Sequence, residues 1–205
     1  IEDLLGRDPV RIDETLIRET LEGRVVAVTG AAGSIGSELC RQILEMDPLR
    51  LLLVEIDETR LYELYLELED RSPGVCRMHL FYILVEANVK DVFRAEKPEV
   101  VFHAAAYKHV PMMELSPDEA VRTNIGGTWS VIRGSQAAGV SKFVLISTDK
   151  AVAPANIMGA PKALAERLTS LAPRGGFGAP VVRFGHGRGR RRRAQELHRT
   201  VWWDS

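Results

Sequence analysis

The run Gly30-Ala31-Ala32-Gly33-Ser34-Ile35-Gly36 constrains the fold of this chain more than any other, because of what stands on either side of it. Before it, Arg24-Val25-Val26-Ala27-Val28-Thr29 has the apolar, β-branched pattern of a strand buried on both faces. After it, Ser37 to Met46 carries apolar residues at helical spacing. A buried strand that turns at once into a helix through three glycines lets backbone approach a phosphate. Glycine has no Cβ, and the helix N-terminus offers unpaired N–H donors at the positive end of its dipole. The spacing is Gly-x-x-Gly-x-x-Gly rather than the more familiar Gly-x-Gly-x-x-Gly of dinucleotide sites. Gly30, Gly33, Ser34, Ile35 and Gly36 are therefore candidate contacts for a cofactor pyrophosphate.

A second strand, Leu51-Leu52-Leu53-Val54-Glu55-Ile56-Asp57, ends in carboxylates about 20 residues past the turn, where such folds grip a ribose diol. A carboxylate there repels a 2′-phosphate and the nearby cation is Arg60, so NAD is expected rather than NADP, with Glu55 as the contact. The alternative is that Glu55 and Asp57 cap the helix that begins near Glu58.

Strands and helices alternate onward. A helix is expected from Glu58 to about Asp70, a strand from Met78 to Val85, a short helix from Val89 to Ala95 and a strand from Val100 to His103. A long helix from Pro117 to Ala138, interrupted near Gly126-Gly127, follows. Strand Lys142 to Ser147, helix Ile157 to Leu171 and strand Pro180 to Phe184 complete the series. The expectation is an α/β fold, a six-stranded doubly wound parallel sheet. The 205 residues suit one domain, and a net charge of −1 gives no bulk attraction to nucleic acid or an anionic membrane, so neither is expected as a partner. Two cysteines, Cys40 on the first helix and Cys76 in a loop, imply a reducing compartment rather than a disulfide framework. With no signal peptide and no apolar run long enough to span a bilayer, the cytoplasm is the expected location. Because the chain opens at Ile1 without an initiator methionine, a longer, membrane-anchored parent fits as well.

Ligands of such sheets bind beyond the carboxyl ends of the strands. His103-Ala104-Ala105-Ala106 ends the fourth strand in small side chains that let backbone approach the cofactor. Asn88-Val89, taken as the end of the third strand, suits an adenine contact, and Tyr107-Lys108-His109 would line a substrate pocket. For His103 and His109 a purely structural role is the competing reading. Ser147-Thr148-Asp149-Lys150 ends the fifth strand, with Met158 and then Lys162 downstream, so a hydroxyl, a carboxylate and two amines stand where a nicotinamide ring would lie. A solvated loop is the alternative there.

Thr29 to Gly36, His103 to Val110, Thr123-Asn124-Ile125-Gly126-Gly127-Thr128, Ser147 to Lys150 and Met158-Gly-Ala-Pro-Lys162 together resemble the extended short-chain dehydrogenase/reductases. More narrowly, they resemble the UDP-N-acetylglucosamine 4,6-dehydratases of capsular and surface polysaccharide biosynthesis, over about Ile1 to Gly185. The resemblance implies a lyase with tightly bound NAD, acting on a UDP-sugar and forming a homo-oligomer, with no metal. By resemblance Thr148 would hold the C4 hydroxyl, Asp149 would protonate the departing C6 hydroxyl, Lys150 would be the base at C5 and Lys162 would bind the nicotinamide ribose. Lys108, His109 and Asn124 would meet the substrate. Most short-chain dehydrogenases carry tyrosine where this chain has Met158, which has no titratable proton, so the tyrosine's role must pass to Asp149, Thr148 or water. An epimerase or reductase of nucleotide sugars, or a non-catalytic NAD-binding module, are the alternative functions.

The expected division is a lead-in over 1–22, an NAD-binding domain over 23–185 and an atypical tail over 186–205, with the substrate domain missing. The tail begins His186-Gly-Arg-Gly-Arg-Arg-Arg-Arg193 and ends Trp202-Trp203-Asp204-Ser205. Apolar periodicity stops at the residue where the resemblance stops, which favours a shifted reading frame or a truncation. A disordered segment and a phosphate-binding arginine run are the alternatives.

Overall fold

The computed structural model describes residues 14–152, 154, 157–172 and 176–184; the expectations for the tail and for most of the lead-in lie outside these. Six strands form one sheet: β1 (Val25–Thr29), β2 (Arg50–Glu55), β3 (Cys76–Leu80), β4 (Val100–His103), β5 (Lys142–Thr148) and β6 (Val181–Phe184). Their order is β3-β2-β1-β4-β5-β6, and every pairing is parallel, so the chain reverses its direction of travel across the sheet between β3 and β4. This is the doubly wound parallel sheet that the alternation predicts.

The apolar runs are continuous because both faces are covered. Val26 and Val28 of β1 join one buried cluster, with residues of α1 (Glu14–Leu21), α2 (Gly36–Leu44) and α3 (Glu58–Arg71). Val25 and Ala27, pointing the other way, join a second with α4 (Glu86–Glu96), α7 (Thr128–Ala138) and α8 (Gly159–Leu171). Each fully buried leucine or phenylalanine contributes roughly 1.5–3 kcal/mol. Among the described residues no helix is long and apolar enough to cross a membrane.

Several boundaries differ from expectation, for local reasons. The third strand stops at Leu80, not Val85, because Phe81 to Leu84 is apolar for another purpose. Ile83 and Leu84 pack under Gly127 and Gly126, where an added Cβ would come within 2.7 Å of Ile83 Cδ1 and 3.2 Å of Leu84 Cδ2. The glycine pair lies in a π-helical segment, Arg122–Gly127, between the short α6 (Pro117–Val121) and α7. Asn88 and Val89 consequently leave the strand end and sit in the first turn of α4. Val89 is buried against Gly134 of α7, with 2.5 Å between its Cγ1 and a Cβ built there, and Asn88 is exposed. Cys76 begins β3 and is buried rather than lying in a loop, and burial pushes its thiol up to about 11. Two helices escaped the reading. In α1, Ile17 and Leu21 are buried and Arg18 reaches Asp47 at 2.6 Å; α5 (Val110–Leu115) follows β4 after the loop 104–109.

Candidate active site

The glycine turn is fixed by backbone, not by side chains. Gly30 has φ +70°, and a Cβ there would stand 2.6 Å from Ala105 N and Cα, so the turn lies directly on the alanines that leave β4. A Cβ at Gly36 would overlap the Gly30 carbonyl. Gly30 N and Ala31 N both donate to Val54 O, at 2.9 and 3.2 Å, and Ala32 N donates to Glu55 Oε2 at 3.1 Å. The N–H groups of Ser34 and Ile35, which open α2, have no acceptor among the described residues. Two unspent donors at a helix N-terminus with glycine beside them fit a pyrophosphate. Lys108 adds a cation, its Nζ donating to Ser34 Oγ at 2.8 Å.

Glu55 stands at the end of β2 with one oxygen on Ala32 N and the other accepting from Ile56 N at 2.8 Å. It therefore faces the turn and does not cap α3. Asp57 alone caps that helix, accepting from Arg60 N at 3.1 Å, so the capping alternative holds for one of the two carboxylates.

A buried relay crosses the site from strand to loop. Thr29 Oγ1 lies 2.6 Å from His103 Nδ1, His103 Nε2 lies 3.0 Å from Thr128 Oγ1, and Thr128 donates its proton to Asn124 O at 2.8 Å. Since the Thr128 proton is committed, His103 donates through Nε2 and accepts the Thr29 hydroxyl proton at Nδ1, a tautomer assigned from the hydrogen-bond network. Burial, with the Lys162 charge adding to it, pushes the His103 pKa down to about 3, so the ring is neutral. His103 is the satisfied structural histidine of the competing reading; His109 stands exposed ahead of α5. Asn124 is fully buried; its Oδ1 accepts from Tyr107 N at 2.8 Å and its Nδ2 donates to Tyr107 O at 3.0 Å, so it clamps the loop after Ala106.

The end of β5 brings Thr148, Asp149 and Lys150 together. Thr148 Oγ1 donates to Asp149 Oδ1 at 3.0 Å and accepts from Lys150 N at 3.4 Å, which caps the 3₁₀ turn Asp149–Ala151. A Cβ on Gly159 would come within 2.6 Å of Lys150 O, so α8 starts hard against this turn. Met158, the residue before α8, is buried in a small apolar cluster with Met113 of α5 and Ala120 of α6. Lys162, on the first turns of α8, is buried and donates from Nζ to Ile146 O at 2.9 Å. Burial lowers its pKa to about 8 against the opposing pull of Glu166. Glu166, Ser147 and Arg183 form a further network that the sequence reading did not single out. The only sequence signal for it is the helical i, i+4 spacing from Lys162 to Glu166.

A family described as polysaccharide biosynthesis protein matches residues 26–190. The capsular polysaccharide biosynthesis protein CapD of Staphylococcus aureus is 46% identical over 170 residues, which cover 81% of this chain and 28% of that protein. A UDP-glucose 4-epimerase of Rickettsia canadensis is 37% identical over 148 residues, 71% of this chain and 42% of the epimerase. The inverting UDP-N-acetylglucosamine 4,6-dehydratase of Campylobacter jejuni is 32% identical over 149 residues, with coverage of 71% and 42%. Among solved structures, Pen from Bacillus thuringiensis superposes with a TM-score of 0.76 at 32% identity, over 83% of this chain and 54% of that one. The chain thus spans from 28% to 54% of the lengths of these proteins.

Proposed function

This chain belongs to the polysaccharide biosynthesis protein family, and on that premise we propose that it binds NAD and carries the catalytic turn of a nucleotide-sugar 4,6-dehydratase acting on a UDP-N-acetylhexosamine. The observation that carries the reading is the Thr148-Asp149-Lys150 turn at the end of β5, backed by the buried ammonium of Lys162 and flanked by Met158. A methionine exchanges no proton, so on this reading the acid and base come from the turn. Dehydration needs both, at neighbouring carbons.

When bound, NAD would take a hydride from C4 of the sugar and return it to C6. The chain's own groups would do the rest. The Ser34 and Ile35 N–H groups and Lys108 would hold the pyrophosphate, Glu55 the adenosine ribose and Lys162 the nicotinamide ribose. Thr148 would bind the C4 hydroxyl, whose proton would pass to Asp149 as the hydride leaves C4. Lys150 would take the proton that the C4 carbonyl acidifies at C5, Asp149 would pass its proton to the C6 hydroxyl as it leaves as water, and Lys150 would return a proton to C5 as the hydride arrives at C6. On this reading residues 23–185 form the NAD-binding domain, His109 lies toward the substrate, and the whole protein is a homo-oligomer working on the cytoplasmic side.

A 4-epimerase is the second reading, favoured by the likeness to the Rickettsia enzyme; it needs a single proton shuttle at C4 and leaves the adjacent acid and base without separate work. Incubating the full-length gene product with UDP-N-acetylglucosamine separates the two. A 4-keto-6-deoxy product is expected, and a C4 epimer with retained C6 hydroxyl would overturn the dehydratase reading.

A further inference from the structure

Helix α8 buries two opposite charges one turn apart, Lys162 at 6% and Glu166 at 8% exposure. Buried charges are costly unless their partners are built in. Those of Glu166 come from two strands. Ser147 Oγ of β5 donates to its Oε1 at 2.6 Å. Arg183 of β6 forks onto it, Nε lying 3.0 and 3.1 Å from the two oxygens and Nη2 2.6 Å from Oε2. Ser147 lies between Ile146, whose carbonyl accepts the Lys162 ammonium, and Thr148, which opens the catalytic turn.

We infer that Glu166 is a positioning residue of this site: through Ser147 and Arg183 it fixes α8 against the ends of β5 and β6, and through its charge it sustains the ammonium of Lys162. The inference rests on reading Lys162 as the lysine that holds the cofactor ribose. Burial pushes the Glu166 carboxyl up, but the Arg183 and Ser147 hydrogen bonds together bring it below its ordinary value, so it is an anion at neutral pH. Lys162, brought to about 8, titrates near working conditions, and the carboxylate that opposes its desolvation is Glu166. Helix α8 packs on β5, β6, α7, the π-helical segment and the 3₁₀ turn. The titratable or charged groups these bring are Lys142, Arg183, Arg133, Arg122, Asp149 and Lys150, together with the neutral His103 of β4 that feels the Lys162 charge.

The charge role is tested by following the lysine 13Cε resonances of the full-length protein through a pH titration, with Lys162 assigned by the signal lost in Lys162→Met. Glu166→Gln keeps the shape but removes the anion, and should lower the Lys162 midpoint by about one unit. Glu166→Asp keeps the anion on the same turn and should hold the midpoint closer to the wild-type value than Glu166→Gln does. A merely structural network would leave the Glu166→Gln midpoint unmoved, and that result overturns the inference. If Glu166→Gln does not fold, Glu166→Met, apolar and of similar length, carries the same test. NAD titration at pH 7 and 9 keeps the cofactor reading separate. Absence of binding by the wild type at both pH values would remove that reading, while the lysine titration would still decide what Glu166 does.

Discussion

Gly30→Ala separates what the glycine turn does for the fold from what it does for a ligand. At φ +70° an alanine costs about 1–2 kcal/mol in backbone strain alone. Its Cβ would also stand 2.6 Å from Ala105 N and Cα, closer than atoms approach, and these neighbours are backbone that cannot swing aside. Forcing that contact open adds about 1–3 kcal/mol. The sum, about 2–5 kcal/mol, corresponds to a melting temperature lower by about 4–20 °C for a chain of this size. Gly33 is the internal control. It has no positive φ, and a Cβ there meets Gly30 O at 3.2 Å, a tight contact but wider than those at Gly30, so Gly33→Val should lose less stability than Gly30→Ala yet crowd the Ser34 and Ile35 donors and abolish NAD binding. Thermal melts followed by circular dichroism and NAD titration of both variants read the two effects separately. A Gly30→Ala protein that melts with the wild type would show that contact with Ala105 does not fix the turn. Normal NAD affinity in Gly33→Val would show the turn to be only a turn.

NAD should bind more tightly than NADP, because Glu55 is held at the turn by Ala32 N and Ile56 N where a 2′-phosphate would come; equal or tighter NADP binding in parallel titrations refutes this. His103, whose folded pKa is depressed to about 3, stabilises the fold as a neutral ring. That contribution is complete above the unfolded value near 6.5 and is lost as pH falls toward 3, at about 1.4 kcal/mol per pH unit. Urea unfolding between pH 7.5 and 4 should show this slope, and it should shrink in His103→Gln; an equal slope in both proteins excludes the histidine as its source. In the full-length protein, Asp149→Asn should slow water loss and Lys150→Met should stop solvent deuterium entering at C5, each by about 10²–10⁴-fold with NAD still bound. Near-normal exchange in Lys150→Met would move the base elsewhere.

What could be read from the sequence is what local patterning encodes. The strands β1, β2, β4 and β5 declare themselves as apolar runs because both faces are buried, and the glycine turn declares itself because its neighbours are backbone. The same rule misled at Phe81 to Val85. An apolar run reads as strand whether it lies in a sheet or, as here, under a glycine pair from a distant helix, and the expected adenine contacts moved with that boundary. The relay from Thr29 to Tyr107 was hidden for a different reason. Thr29 and His103 stand opposite one another only because β1 and β4 pair in parallel with that register, a contact across 74 positions that no local pattern announces. Asn124 carries the lesson furthest. Its place in a recognisable segment marked it as a residue the site needs, but only the positions of the Tyr107 N–H and carbonyl reveal that both ends of its amide are already taken. A buried polar residue whose amide already bonds backbone at both ends shapes the pocket wall whether or not it also touches what enters, so for this site the assignment of contact or support turns on hydrogen-bond accounting together with motif.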